Sequence, residues 1–337
     1  MSHSTEHNSR PEQSATLFIA ASETDSNLYY ATRFIAPDPF IYLEVKGERL
    51  MVMSDLEVDR ARNQATVDRV LSYSELERRA KSQGVKDPGT IDVIHLVLQD
   101  AGLKDILVPP TFPFLHASRL QELGYRLRTK REPFYEQRVM KSDDEVRHIE
   151  TAQRATETAV AAAHRTLRRA EIRDNVLWLD GEVLTSERVK KLINVALMEC
   201  DCVAQHTIVA GGEQACDPHD EGSGPLPAHR SIIFDVFPRS AGTRYFADMS
   251  RTVVRGTPSP ELTRLYHAVK DAQEEAITKI RDGADGAAIH QGICDRFEKA
   301  GYKTGLVNGR MQGYFHGTGH GVGLDIHEAP RISRTGS

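Results

Sequence analysis

The sequence predicts a chain of two domains, of which the first is an α/β domain. A length of 337 residues exceeds that of one average domain. From about Thr16 to Tyr135, short strand-like runs alternate with helical runs, which is the pattern of an α/β domain. The composition then shifts between Arg131 and Lys141, where a long amphipathic helix begins. We therefore predict a domain boundary in this segment.

The predicted division has three parts. Residues 1–15 are polar and lack the apolar run of a signal peptide, so we expect a disordered lead-in. Residues 16–135 form the α/β domain, in which no catalytic constellation is visible. Residues 136–337 form the second domain, which carries the residues that suggest chemistry.

Local patterns predict the individual elements. In the first domain the predicted strands are TLFIAA, FIYLEV, RLMVMS and DILVPP, and the predicted helices are SYSELERRAKSQG and PFLHASRLQELG. In the second domain Ser142, with Glu145 three residues later, forms a capping box that opens a helix reaching about Ala170. The further predicted elements are the helices LTSERVKKLINVALMEC, SPELTRLYHAVKDAQEEAITKI (capped by Ser259) and AAIHQGICDRFEKAG, and the strand HTIVAGG.

Composition excludes several classes of protein. A net charge of −5 gives no basic surface for nucleic acid, and no apolar run approaches the ~20 residues of a membrane span. Four cysteines in so long a chain do not indicate a disulfide framework, so we expect a reduced, cytoplasmic protein. Cys200-x-Cys202 lacks the second pair that a zinc site needs, and we interpret these thiols as inert.

The stretch FDVFPRSAGTRYFADMSRT predicts a β-hairpin with two aspartates in its strands. We take its loop to be the two residues Ala241 and Gly242. That register places Asp235 directly opposite Asp248, with Cβ atoms about 5 Å apart on one face. Two carboxylates so close repel each other, so the pattern predicts a cation between them.

Three histidines lie in segments that could join this pair. Glycines in HGTGHGVGLDIHEAP do not match a dinucleotide-binding loop, because position 322 is valine. We expect them to let the backbone bend and to bring His320 and His327 into one cavity. His219, in DPHDEGSG, precedes the hairpin on a loop. Carboxylates with an imidazole suit Mn, Co, Fe or Zn, and a bridging aspartate suggests two metal ions.

The segments DVFPRSAGTRYFADMSRT, DPHDEGSG and HGTGHGVGLDIHEAP together resemble the pita-bread metallopeptidases. This family includes methionine aminopeptidase, aminopeptidase P and Xaa-Pro dipeptidase (prolidase). The resemblance covers the whole second domain and implies an α+β pita-bread fold for residues 136–337. The first domain is similar to the creatinase-type amino-terminal domain.

The resemblance implies a role for each candidate residue. The metal ligands would be Asp235, which binds one ion, Asp248, which bridges two, and His320. The cofactors would be two divalent metal ions, with manganese or cobalt preferred over zinc or iron. The catalytic histidines would be His219 and His327, which bind the substrate carbonyl and stabilise the transition state.

The resemblance also implies a substrate. Methionine aminopeptidases generally lack the large amino-terminal domain, so its presence favours the branch that cleaves the bond before proline. We therefore expect a proline-containing dipeptide or peptide as substrate, hydrolysed by water that the metal ions activate. The amino-terminal domain also implies a homodimer.

One departure from the family leaves alternatives open. The family completes its metal site with two glutamates on its last strands, and the printed sequence reaches Ser337 without counterparts to them. Glu328 follows His327, but its counterpart is not a family ligand. The chain is then a fragment of a longer active enzyme, a truncated inactive product, or a non-catalytic peptide-binding protein. Metal-free, creatinase-like hydrolysis is disfavoured, because Asp235, Asp248 and His320 are retained.

Overall fold

A computed structural model describes residues 15–336, and the chain divides into two compact units at residues 135 and 136. This division falls inside the segment 131–141 where the composition shifts. The lead-in predicted for residues 1–15 lies outside the described residues, except for Ala15, which begins the first strand.

The first unit is built around a mixed sheet of six strands. Its described strands are β1 (Ala15–Ala20), β2 (Phe40–Val45), β3 (Glu48–Met53), β4 (Arg69–Ser72), β5 (Asp105–Val108) and β6 (Arg126–Thr129). Its described helices are α1 (Ser26–Thr32), α2 (Val58–Gln64), α3 (Tyr73–Ser82), α4 (Thr90–Asp100) and α5 (Phe114–Glu122). The sheet order is β4-β3-β2-β1-β5-β6. The strand β2 runs antiparallel to both neighbours, and the other pairs are parallel.

The apolar side chains of this sheet are buried on both faces, as an α/β layer structure requires. Leu17 belongs to one core cluster and Phe18 to the other, because successive residues of a strand point to opposite faces. The same alternation separates Ile41 from Tyr42 on the neighbouring strand. The predicted α/β domain is confirmed.

The second unit combines long helices with short sheets. Its described helices are α6 (Asp143–Arg169), α7 (Ser186–Met198), α8 (Pro260–Lys279) and α9 (Gly286–Lys299). Its described strands are β7 (Glu171–Arg173), β8 (Val176–Leu179), β9 (Glu182–Val183), β10 (Cys202–Val203), β11 (Ile208–Gly211), β12 (Ser231–Val236), β13 (Arg239–Ser240), β14 (Met249–Val254), β15 (Gly305–Val307), β16 (Arg310–Gln312), β17 (Gly319–Gly321) and β18 (Glu328–Ile332).

Capping explains where the helices of this unit begin. The hydroxyl of Ser142 accepts a hydrogen bond from the backbone N–H of Glu145 (3.3 Å), and the Glu145 carboxylate accepts one from the N–H of Ser142 (2.8 Å). This is the predicted capping box, and it stabilises the free N–H groups of the first turn of α6. Ser259 caps α8 in the same way, through the N–H of Leu262.

Two halves can be distinguished within this unit. In the first half (residues 136–254), α6 and α7 pack on the sheet β11-β12-β14 and bury Phe234, Ile193 and their neighbours. In the second half (residues 255–336), α8 and α9 pack on each other, and α9 also packs on β18. From residue 15 to residue 336, each helix is too short or too polar to span a lipid bilayer.

Candidate functional site

The hairpin that carries the two aspartates has a different register from the one predicted. Asp235 lies opposite Ser250, and the strands continue through a bridge between Arg239 and Phe246. The prediction that Asp235 directly faces Asp248 is therefore wrong.

The reason for the shift is the loop, which is longer than two residues. The backbone N–H of Ser240 donates to the carbonyl of Tyr245 (3.0 Å), so residues 241–244 form the turn. Arg244 provides the left-handed conformation that this turn needs, with φ of 70°. The register moves by two residues, and an even shift leaves Asp248 on the same face as Asp235. The two aspartates are diagonal neighbours, a pair of positions that are ~7–8 Å apart along the backbone.

The electrostatics of the two aspartates indicate an uncompensated pair. Burial raises the pKa of Asp248, and the neighbouring charge of Asp235 raises it further, while His320 acts in the opposite direction. One oxygen of Asp235 accepts a hydrogen bond from the hydroxyl of Ser250 (2.6 Å). The ionised form of Asp248 is thus disfavoured unless a positive charge lies beside it.

His320 supplies the imidazole of this site from β17. Its Nε2 lies 3.4 Å from Oδ2 of Asp248, and its Nδ1 lies 3.0 Å from the carbonyl oxygen of Gly321. Because a carbonyl only accepts hydrogen bonds, Nδ1 carries the proton of the neutral ring. The lone pair of Nε2 then faces the Asp248 carboxylate. Two acceptors at this separation require a proton or a metal ion between them.

The glycines around His320 permit close approach of the backbone. A Cβ on Gly321 would lie 2.4 Å from the carbonyl oxygen of Ala329, and one on Gly323 would lie 2.5 Å from Oε2 of Glu328. Neither glycine has a positive φ, so the bend expected of them does not use a left-handed conformation. They allow β17 and β18 to pair closely, and the ring centroids of His320 and His327 lie 4.4 Å apart.

The two remaining candidates are His327, whose ring packs on that of His320, and His219, which lies on a separate loop. Burial lowers the pKa of His327, as do His320, Arg331 and His219 to smaller extents, so His327 is neutral near pH 7. His219 is exposed, on the loop that follows the 3₁₀ helix Gly212–Cys216. Three of the five candidates, Asp235, Asp248 and His320, are half-buried, whereas His219 and His327 are exposed.

The loop that carries His219 is held against β11. The backbone N–H of Val209 donates to the carbonyl of Glu221 (3.0 Å). Gly222 has φ of +76°, and a Cβ there would lie 2.0 Å from the carbonyl oxygen of Val209. Lys190 of α7 donates to the carbonyl of Gly222 (2.9 Å), which ties the loop to a helix.

The donor set of Asp235, Asp248 and His320 fits a divalent metal ion in type and charge. Its geometry is looser than that of a closed site. Among residues 15–336, no three or more His, Cys, Asp or Glu side chains are already gathered closely enough to hold a metal ion.

The sequence did not reveal a buried ionic cluster beside the site. Glu328 is buried and accepts hydrogen bonds from Arg138 and Lys141, so both of its oxygens face cations. It is therefore not available as a metal ligand. An acidic residue directly after His327, within a strand, is the local signal that could have pointed to this cluster. Nothing local links it to Arg138, which is 190 residues away.

Comparison with known proteins identifies a family and several relatives to which this chain is similar. The model of metallopeptidase family M24 matches residues 147–337. An uncharacterized peptidase of Staphylococcus epidermidis is 31% identical over 167 residues, or 49% of this chain and 44% of that protein. The Xaa-Pro dipeptidase of Pyrococcus furiosus is 26% identical over 198 residues, or 58% of this chain and 51% of that protein. The matched segments thus span about half the length of these relatives.

Solved structures share the fold over nearly the whole chain. The Xaa-Pro dipeptidase of Bacillus anthracis superposes with a TM-score of 0.77 at 19% identity, covering 96% of this chain and 81% of that one. The prolidase of Pyrococcus furiosus gives a TM-score of 0.74 at 20% identity, covering 96% and 84%. The predicted two-domain pita-bread fold is confirmed by these superpositions. Since the family model also matches more than half of its residues, the chain belongs to metallopeptidase family M24.

Proposed function

We propose that this protein is a metal-dependent peptidase that hydrolyses the bond before proline in dipeptides or short peptides. The observation that carries the proposal is the contact between Nε2 of His320 and Oδ2 of Asp248 at 3.4 Å. Both atoms present lone pairs, and Asp235 adds a second carboxylate on the same face. A divalent cation satisfies all three groups at once.

Asp235, Asp248 and His320 would hold the ions, with manganese or cobalt preferred and zinc or iron as alternatives. Bound ions would supply the positive charge that activates water and polarises the substrate carbonyl. The protein supplies orientation. The Gly321 carbonyl keeps the proton of His320 on Nδ1, and the Ser250 hydroxyl restrains one oxygen of Asp235.

His327 and His219 would act on the substrate. Because burial lowers the pKa of His327, its ring is neutral near pH 7 and can donate one N–H to a carbonyl oxygen that gains negative charge. His219, on its exposed loop, would bind the peptide and contribute a second donor. Neither ring needs to be protonated for this role, which suits hydrolysis at neutral pH.

The preference for proline rests on named relatives. The proteins similar to this chain include Xaa-Pro dipeptidases of Pyrococcus furiosus and Lactobacillus helveticus. We carry this specificity over as a proposal. The homodimer and the cytoplasmic location stay predictions.

The test is hydrolysis of Ala-Pro and of Ala-Ala by the purified 337-residue chain, with Mn²⁺, with Co²⁺ and with EDTA. Because the three ligands are not gathered closely, we expect weak metal binding, slow metal-dependent release of proline, still slower cleavage of Ala-Ala, and loss of both metal binding and activity in His320→Ala. The matched control is His316→Ala, an exposed histidine on the same segment. Equal hydrolysis in EDTA and in Mn²⁺ would contradict the proposal.

A second candidate function is supported by one observation. Among the described residues, no closed group of three metal-ligating side chains exists, which fits a protein that binds peptides without cleaving them. Calorimetric titration with a proline-containing peptide separates the two functions. Binding with no released proline at saturating Mn²⁺ would favour the binding function.

A further inference from the structure

The most deeply buried charged group beside the site is the carboxylate of Glu328. Its side chain is 6% exposed, and it begins β18 directly after His327. One oxygen accepts from Arg138 and from the backbone N–H of Asp325 (3.0 Å), and the other accepts from Lys141 (2.8 Å). A buried carboxylate is costly unless cations and hydrogen bonds satisfy it, and here both oxygens are satisfied.

The cluster around Glu328 is balanced in charge. Arg138, whose side chain is 7% exposed, also donates to Oδ2 of Asp325 at 2.8 Å. Two cations, Arg138 and Lys141, therefore face two carboxylates, Glu328 and Asp325. All four groups lie within the second unit.

Both ends of a short turn, residues 323–328, are held, and the cluster holds the second of them. At its start, the carbonyl of Gly323 accepts from the N–H of Phe246, which lies in the hairpin between the two aspartates (2.8 Å). At its end, Glu328 is held by the two cations. The carboxylate lies so close to Gly323 that a Cβ there would be 2.5 Å from Oε2. His327 is the last residue before the clamped carboxylate, and its ring packs edge to face on His320.

We propose that Glu328, clamped by Arg138 and Lys141, is a positioning residue that holds the His327 ring against His320 at the candidate site. This proposal rests on the proposed function only because that function assigns His327 a role at the substrate carbonyl. The clamp itself is defined by contacts between residues of the described chain. A purely structural cluster would stabilise the fold without setting the position of the ring.

The first experiment observes the two rings without metal or substrate. We would label histidines in the full chain and record NMR spectra of wild type and Glu328→Gln. In wild type we expect a nuclear Overhauser effect between the rings of His320 and His327. In Glu328→Gln we expect this effect to fall at least about twofold, because the turn loses its charged anchor.

A matched control is available in the same unit. Glu275 also accepts from a lysine and an arginine, Lys279 (2.6 Å) and Arg296 (2.7 Å), but on the surface of α8. Glu275→Gln removes a similar pair of ionic contacts and should leave the ring-to-ring effect unchanged. An unchanged effect in Glu328→Gln, with a folded chain, would overturn the proposal.

Two more variants keep the test decisive if Glu328→Gln does not fold. Lys141→Met removes one donor and leaves the Arg138–Glu328 pair intact, so it should fold and weaken the ring-to-ring effect partially. The double variant Arg138→Gln/Glu328→Gln restores neutrality of the cluster and should recover folding and part of the effect. A folded Lys141→Met and a folded double variant that both keep the wild-type effect would also contradict the proposal.

The kinetic arm separates this proposal from the proposed function. If wild type hydrolyses Ala-Pro, Glu328→Gln should lower kcat about 10- to 100-fold, because a displacement near 1 Å costs about that much. Binding of Mn²⁺ should stay within about twofold. If wild type does not hydrolyse Ala-Pro, the proposed function fails, and the NMR arm still decides the positioning role. An active wild type with unchanged kcat in Glu328→Gln would overturn it.

Discussion

The two halves of the second unit contribute differently to the candidate site. Asp235 and Asp248 come from the first half, whose helices and sheet share a large buried cluster. His320 and His327 come from the second half, whose described cluster has five buried residues: Ala272, Ala276, Ile289, Ile293 and Phe297. The acidic residues therefore stand on the better-packed framework, and the histidines on the weaker one.

Exposed apolar side chains sharpen this difference. Among the described residues, nine large apolar side chains of the second half are exposed, including Ile277 (61%) and Leu306 (75%), against six in the longer first half, including Met198 (68%). The central strand β12 of the first half buries Phe234 completely. Regions with few buried apolar contacts open locally at low free energy. We infer that the histidine side of the site opens before the aspartate side, and that the clamp on Glu328 counteracts this.

The largest effect is expected from substitutions in the two buried clusters. If both substitutions exposed the whole second unit to hydrogen exchange, the two halves would not differ in stability. Phe234→Ala should lower the free energy of unfolding by about 3–5 kcal/mol, because it leaves a cavity in a core that cannot collapse. Hydrogen exchange should then accelerate throughout the second unit. Phe297→Ala should accelerate exchange in α8 and α9 and leave α6 protected. Urea unfolding and hydrogen exchange by mass spectrometry provide the measurements.

The control for these core substitutions is Ile277→Ala, at an exposed position of α8. It should change stability by no more than about 0.5 kcal/mol. If Phe297→Ala deprotected α6 as strongly as Phe234→Ala, the halves would form one cooperative block, and the comparison would be wrong.

The second prediction concerns the loop that brings His219 to the aspartate half. Gly222 and Gly224 both have positive φ, +76° and +69°, but only Gly222 meets the backbone of β11. Gly224→Ala should cost about 1 kcal/mol for its backbone conformation alone. Gly222→Ala should cost at least about 1 kcal/mol more and should reduce Ala-Pro hydrolysis, because the loop must move away from Val209.

Urea unfolding of both glycine variants measures this difference directly. Equal losses in the two would mean that the loop can yield to the added Cβ without moving. The anchoring of His219 by close backbone contact would then be wrong.

Local signals of the sequence predicted most of the fold, and long-range geometry accounts for what they missed. Ser142 with Glu145, and Ser259 before Pro260, marked helix starts because a cap depends on neighbours only three residues away. The strands β1, β2, β3 and β5 showed apolar runs, whereas β4 (RVLS) and β6 (RLRT) begin and end with polar residues and contain no more than two apolar ones. Such short segments carry too weak a pattern to be recognised.

For the two aspartates the sequence predicted the shared face and missed the register. Asp235 and Asp248 are still on one face of the sheet, because a register shift of two residues leaves every side chain on its original face. The shift itself depends on Arg244 adopting a left-handed conformation, which no preference of arginine announces. The clamp on Glu328 joins residues far apart in the chain, so no spacing rule could reveal it.

The third prediction sharpens the account of the aspartate side. Ser250→Ala removes the hydrogen bond to Asp235 and should weaken Mn²⁺ binding about 10-fold, because that oxygen loses its restraint. Thr252→Ala, on the same face of β14 opposite Ile233, is the control and should bind Mn²⁺ like wild type. Isothermal titration gives both affinities. An unchanged affinity in Ser250→Ala would leave Asp235 outside the metal site.

The smallest expected effect is the change in stability of Asp248→Asn. It tests whether the Asp248 carboxylate, which faces His320 of the second half, lacks a compensating positive charge. Because burial and Asp235 raise the pKa of Asp248, the folded state favours the protonated carboxyl, and stability is lost as pH rises through that raised pKa. Asp248→Asn should therefore stabilise the EDTA-treated protein at pH 7, by up to about 1 kcal/mol. The gain should disappear as pH falls toward the ordinary aspartate range near about 4. Asp282→Asn, in the exposed turn between α8 and α9, should show no such gain.

With Mn²⁺ bound, wild type should be more stable than Asp248→Asn, because the ion binds the carboxylate and not the amide. A less stable Asp248→Asn in EDTA at pH 7 would mean that His320 already neutralises this carboxylate, and the need for a metal ion between the two halves would vanish.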